Sequence, residues 1–268
     1  MQQLKAIIFD VDGTLANTEE THRQAFNAAF NEFGLAYHWS EQEYAQRLSI
    51  SGGKERIYAY LNEQDVNPDI DQGIREYYLR IHQRKSEIYR EKLVAGHIGL
   101  RKGVARLLEE ANSKGLKLGI ATCTSKSNVE TLLKKALGGD VMSRFDAVAT
   151  SDIVTDKKPS PVVYQFVLAQ LGLSPDVCIA IEDTYNGNCA ALAAGLQTVI
   201  TTHAFTINDD FEGAQLILDN LGEPDQPFSV IAGNADGAHY VDIALLEKIS
   251  STNASIDNWE PALAVAVK

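Results

Sequence analysis

Two aspartates, Asp10 and Asp12, close an uncharged run, Ala6-Ile7-Ile8-Phe9, and Gly13 and Thr14 follow at once. Two positions apart at the end of an extended segment, their carboxylates lie on the same side. Three other places carry chemistry that complements them. Thr122 stands in Ala-Thr-Cys-Thr-Ser after the run 116–121, Lys158 precedes Pro159, and Glu182-Asp183 follow the apolar run Val177–Ile181. Carboxylates from two strand ends form a hard-oxygen set that suits Mg²⁺, which takes few protein ligands and leaves room for substrate oxygens. One carboxylate can attack phosphorus and form an aspartyl-phosphate. The other can protonate the leaving oxygen and later activate water. A lysine and a hydroxyl can hold the non-bridging oxygens as charge shifts in the transition state. Phosphate monoester hydrolysis is so slow unaided that several such groups must act together.

Elements that would gather these groups are legible from residue 101 onward. Helical spacing runs over 103–113, 127–137, 161–171 and 186–194. Ser127 or Asn128 is the expected N-cap of the second of these helices. Strands are expected at 116–121, Phe145–Ala149, Val177–Ile181 and Leu196–Ile200. The alternation predicts an α/β fold: a Rossmann-like parallel sheet with helices on both faces. In such a sheet the functional crevice lies at the carboxyl ends of the strands, which is where all four loaded places fall.

Residues 17–94 break the rhythm. They hold no convincing strand, and helices are expected at 20–33, 41–50, 54–62 and 69–91. They read as an all-helical domain inserted after the first strand, with hinges near Ala16 and near Leu93–Ile98. The core is then residues 1–16 and 95–220. Residues 221–268 form a C-terminal extension of open role, with one helical piece at 240–249; it could pack on the core, contact a partner or fray.

The 268 residues, 45% hydrophobic and 22% charged, suffice for a large core. A net charge of −12 argues against nucleic acid or an anionic membrane as partner. An anionic substrate therefore requires a local collection of positive charge. The odd set Cys123, Cys178 and Cys189 has no metal-type spacing and reads as free thiols in a reducing compartment. The first strand begins by residue 5, and no apolar run nears the roughly 18 residues of a membrane helix. The expectation is a cytoplasmic protein.

Each loaded place has an ordinary reading as well. Asp10 and Asp12 could end a strand in an Asx turn, Glu182-Asp183 could cap the next helix, and Lys158 could be solvated like Lys157. The ordered set outweighs them. Phe9-Asp10-Val11-Asp12-Gly13-Thr14-Leu15 resembles the first motif of the haloacid dehalogenase (HAD) superfamily. Thr122, Lys158-Pro159 and Glu182-Asp183-Thr184 resemble the second, third and fourth, over about residues 4–205. The resemblance implies that Asp10 is the nucleophile and Asp12 the general acid/base. It implies Mg²⁺ held by Asp10, the Asp12 backbone carbonyl and Asp183, with Glu182 a direct ligand or one step behind. The helical insertion looks like a type C1 cap, which closes over small substrates.

Within the superfamily, Thr18-Glu19-Glu20, His22-Arg23, Ala25-Phe26-Asn27, Glu43-Tyr44, Gly52-Gly53-Lys54-Glu55-Arg56, Ala121-Thr122-Cys123-Thr124-Ser125 and Asn186-Gly187 resemble CbbY-like proteins. That group includes phosphatases that remove the 1-phosphate of xylulose 1,5-bisphosphate. The resemblance assigns Glu19, His22, Tyr44, Gly52, Gly53, Lys54 and Arg56 to the sugar and its distal phosphate, with Thr124 and Ser125 as further contacts. Free N–H groups at a helix start beside basic residues suit an anion independently of the resemblance. Tyr58, Tyr60, Tyr77 and Tyr78 are expected to pack the cap. The group implies a monomer acting on a small phosphorylated sugar. Cys123 and the long tail depart from its pattern. The rival readings are a sugar phosphomutase of the β-phosphoglucomutase type, sharing every motif, and a non-catalytic interaction protein. Dehalogenases and phosphonatases of the superfamily lack an acid matching Asp12.

Overall fold

A run of four apolar residues with no polar face needs partners on both edges and cover on both sides. In the computed structural model, β1 (Ala6–Phe9) has both. It pairs in parallel with β2 (Lys117–Ala121) and β4 (Cys178–Glu182), with Phe9 level with Ile120 and Ile181. Residues 3–64, 72–96, 98–139 and 141–251 are described.

The sheet runs β3-β2-β1-β4-β5-β6-β7, where β3 is Ala147–Ala149, β5 Gln197–Thr201, β6 Leu216–Leu218 and β7 Val230–Gly233. All pairings are parallel except β6–β7. The chain winds outward from β1 in both directions, so the strand order switches beside it and opens a crevice there. The expected α/β fold is present. The strand expected from Phe145 starts only at Ala147, because Val141–Arg144 forms a 3₁₀ turn that Phe145 closes.

Helices α5 (Val104–Ser113), α6 (Lys126–Leu137) and α9 (Ile243–Ser251) share one apolar cluster. Helices α7 (Val162–Leu171) and α8 (Tyr185–Ala193) build another with Ala6, Ile8 and Ala180 of the sheet. Ser125, not Ser127 or Asn128, takes the N-cap position of α6; the free N–H of Lys126 is satisfied by Asp152 Oδ2 at 2.6 Å.

The insertion is helical as expected: α1 (Glu19–Glu32), α2 (Glu41–Arg47), α3 (Gly53–Glu63) and α4 (Gln72–Ala95). Ile70, counted in the expected long helix, lies outside the described residues. Phe26 and Phe30 of α1 wrap Trp39, at ring distances of 4.7 and 4.9 Å. Ser40 and Glu43 form a capping box at the start of α2. Tyr60 packs edge-on to Trp39, Tyr58 meets Tyr78, and Tyr77 donates to the Phe33 carbonyl. The cap's two connections pair with each other, as Ala16 bridges Leu100 and Arg101 N donates to Leu15 O. In the extension, β7 adds to the sheet edge and α9 buries Ile243, Leu245, Leu246 and Ile249 on the core. Of its three open fates, packing on the core describes the chain as far as Ser251; residues 252–268 lie outside the described residues. Cys123, Cys178 and Cys189 are free thiols.

Candidate active site

Register alone brings the loaded places together. Asp10 and Thr122 follow β1 and β2, Glu182 ends β4 and Asp183 follows it, on three adjacent strands held in register, and Lys158 reaches in from the loop between β3 and α7. All are nearly or wholly buried. Lys158 Nζ donates to Asp10 Oδ1 at 2.6 Å and to Glu182 Oε1 at 2.5 Å. Tyr164 of α7 donates to the same Glu182 oxygen at 2.6 Å, and the Asp183 N–H meets Oε2 at 3.1 Å. Both Glu182 oxygens are thus engaged, which leaves this acid as the seat of Lys158. Gly187 of α8 makes room for it, since a Cβ there would overlap the Glu182 carboxylate. Thr184, and not Glu182 or Asp183, caps α8, accepting from Gly187 N at 3.0 Å.

Asp183 Oδ1 accepts from Thr14 Oγ1 at 2.7 Å. Gly13, at φ +87°, takes a backbone conformation that favours glycine. Ligand atoms of Asp10, Glu182 and Asp183 lie within 4.8 Å of one another. Burial, with Glu182 and Asp183 adding to it, pushes the Asp10 carboxyl well above the usual range, while Lys158 pulls it back. Three buried carboxylates against one ammonium leave an excess of negative charge. That excess and the all-oxygen donor set fit a hard divalent cation.

Asp12 is held differently. Its Oδ1 accepts from Thr18 Oγ1 at 2.6 Å and Tyr89 Oη at 3.2 Å, and lies 3.0 Å from His22 Nε2. Burial raises its pKa, but His22, Thr18 and Lys85 more than reverse this and hold the carboxylate well below its ordinary value. Lys85 Nζ stands 2.7 Å from His22 Nδ1. Burial, with Arg56 nearby, lowers Lys85 to about 7. A continuous path therefore links the α4 ammonium through the imidazole to Asp12.

One pocket between core and cap is lined by Asp10, Asp12, Thr122, Thr124, Ser125 and Lys158 from the core. From the cap it takes Glu19, His22, Gly52, Gly53, Lys54 and Arg56. Tyr44 does not line it. Its side chain is fully buried, donating to Glu19 Oε2 at 2.7 Å and accepting from Arg56 at 3.0 Å, so it holds two lining residues in place. The Arg56 guanidinium also donates to the Arg47 and Ile50 carbonyls. Lys157, expected on the surface, is half-buried at the rim. Lys54, Arg56, Lys85, Lys157 and Lys158 give the pocket the positive charge that a chain of net −12 must gather for an anion.

Lys85, Tyr89, Tyr164 and His82 were not singled out from sequence, and Thr18 entered only through the CbbY-like resemblance, with no link to Asp12. Lys85 left a signal: it lies four residues after Ile81 and three before Ile88, on the apolar stripe of its helix. His82 lines the pocket, where burial and the nearby Lys85 and Lys54 push it down to about 3.

These strand-end acids, the lysine and the helical cap define a hydrolase class, and sequence comparison agrees. The chain belongs to the haloacid dehalogenase-like hydrolase family, whose model matches residues 7–201. Within it the chain is CbbY-like and a phosphatase. It is 46% identical over 226 residues to the plasmid-encoded protein CbbY of Cupriavidus necator, covering 84% of this chain and 88% of that one. A crystal structure of mutant CbbY from Rhodobacter sphaeroides in complex with xylulose 1,5-bisphosphate superposes with a TM-score of 0.76 at 39% identity, covering 81% and 95% of the two chains. β-Phosphoglucomutase from Clostridium difficile, 21% identical with a TM-score of 0.68, over 81% and 92%, shares the fold. Among the described residues no helix is long and apolar enough to cross a membrane.

Proposed function

We propose that this protein is a Mg²⁺-dependent phosphatase of a small sugar bisphosphate such as xylulose 1,5-bisphosphate, working through an aspartyl-phosphate as a cytoplasmic monomer. The observation that carries the reading is the pair of differently set aspartates at one strand end, facing a cationic pocket under a cap. The xylulose bisphosphate complex of the Rhodobacter sphaeroides relative supports the substrate class.

Asp10 attacks phosphorus; Lys158 and Thr122 hold the non-bridging oxygens. Asp12 protonates the leaving sugar oxygen, then takes a proton from the water that cleaves the aspartyl-phosphate. Ionised in the free protein, Asp12 suits the second task as it stands. For the first, His22 and Lys85 supply the proton path. Mg²⁺, held by Asp10, the Asp12 carbonyl and Asp183 with Glu182 behind them, would neutralise the buried carboxylates and the phosphoryl oxygens. The cap residues Glu19, His22, Lys54 and Arg56, with the Gly52-Gly53 turn, take the sugar and its second phosphate.

Phosphate release with Mg²⁺ across xylulose 1,5-bisphosphate, ribulose 1,5-bisphosphate, fructose 1,6-bisphosphate and β-glucose 1-phosphate tests this. Preference for the xylulose compound is expected. Even, weak turnover would refute the bisphosphate assignment. Conversion of β-glucose 1-phosphate without phosphate release would transfer the chain to the mutases, a reading the β-phosphoglucomutase fold match keeps open. A melting temperature unmoved by Mg²⁺ with beryllium fluoride would mean a non-catalytic protein.

A further inference from the structure

The loop after β5 carries none of the four motifs, yet it touches the acid cluster. His203 Nε2 lies 2.9 Å from Asp183 Oδ2. The loop sets the tautomer itself. Phe205 N donates to His203 Nδ1 at 3.3 Å, so Nδ1 carries no proton and Nε2–H is the donor toward Asp183. The turn is closed by His203 N donating to Thr206 Oγ1 at 3.2 Å and Thr206 N donating to His203 O at 2.9 Å, with Thr206 wholly buried. Phe205 is braced from the cap by Tyr44, edge-on at 5.7 Å.

Asp183 is therefore gripped from two sides, Thr14 on Oδ1 and His203 on Oδ2. The space between is full: a Cβ on Gly13 would collide with both the Asp183 carboxylate and the His203 ring. A carboxylate wholly out of water, with one donor on each oxygen, has its plane defined before any ligand arrives. An imidazole with one ring N–H does this without adding positive charge beside a cation, as lysine or arginine would.

We propose that His203 is a positioning residue that orients Asp183 for the divalent cation. The inference rests on the reading of Asp183 as a cation ligand. The test is calorimetric Mg²⁺ binding to the metal-free full-length protein, comparing wild type with His203→Ala, His203→Gln and Asp183→Asn. His203→Ala is expected to weaken Mg²⁺ about 10- to 100-fold. kcat at saturating Mg²⁺ should change little. His203→Gln, whose amide nitrogen reaches the place of Nε2, should recover most of the affinity. An unchanged Mg²⁺ affinity in His203→Ala, with binding lost in Asp183→Asn, overturns the role of His203 alone. Unchanged affinity in Asp183→Asn removes the premise as well. Equal losses in the Ala and Gln variants overturn the donor role, and melting curves of both establish that they are folded.

Discussion

Lys85 shows how a functional side chain weakens the fold that holds it. Its folded pKa of about 7 lies below the ordinary lysine value of 10.5, chiefly through burial. Between those values the unfolded chain binds the extra proton, so stability rises with pH across that window. The destabilisation is fully present below pH 7 and disappears toward pH 10.5, with a magnitude of a few kcal/mol. Lys85→Met is therefore expected to melt several degrees above wild type at pH 6, with the gain shrinking as pH approaches 10, while phosphatase activity falls. A gain independent of pH would mean that Lys85 carries no buried charge. Asp10→Asn, nearly isosteric, should abolish turnover and keep the circular dichroism spectrum and a cooperative melt. A folded and active Asp10→Asn would overturn covalent catalysis. Among these residues, the paired aspartates were legible because two acids closing an apolar run are costly to place anywhere but at a site. His203 was not, because a histidine in a polar loop has no periodicity to betray its partner.

Helix α8 joins the acid cluster to the cap. Its first turn packs against Glu182 through Gly187, and Asn186 Nδ2 donates across the crevice to Ser49 O at 2.8 Å and Ser51 Oγ at 3.1 Å. The bonds span core and cap beside the Gly52-Gly53 turn, so they hold the pocket's roof over its floor. Asn186→Ala is expected to raise KM several-fold in steady-state kinetics with a melting temperature within a few degrees of wild type. An unchanged KM would show that the cap closes without this bridge. Helix α4 and its lysine were half visible: an amphipathic pattern announced the helix, and a lysine on the apolar stripe marked an anomaly, but its partner His22 lies 63 residues away. Strands β6 and β7 were missed for a different reason. Each spans three or four residues, and a strand that short takes its conformation from its neighbour in the sheet.

The described residues form one sheet covered by helices on both faces with a helical cap above its strand ends, and the chain as far as Ser251 packs into that core. Leu246 on α9 is fully buried in the same cluster as Leu107 and Leu108 of α5. Leu246→Ala should cost about 2–5 kcal/mol, a large share of the roughly 5–15 kcal/mol of a typical domain. Denaturant unfolding would measure this, and a loss under 1 kcal/mol would make α9 an appendage. At long range, a chain of net charge −12 still sets Lys54, Arg56, Lys157 and Lys158 around the pocket that an anion must enter.

The order of apolar runs and helical periods already dictated a parallel sheet with an inserted helical cap, because burial of strand and helix faces leaves few alternatives. The four motif positions followed from it, since strand ends in such a sheet converge. The partners of those groups were left to the folded chain. Lys158 faces Glu182, Lys85 faces His22, and His203 faces Asp183 only after sheet register and cap closure bring together residues 20 to 63 positions apart. Hydrogen bonds of that reach depend on angles and on ångströms of backbone placement, and these emerge only when the core packs.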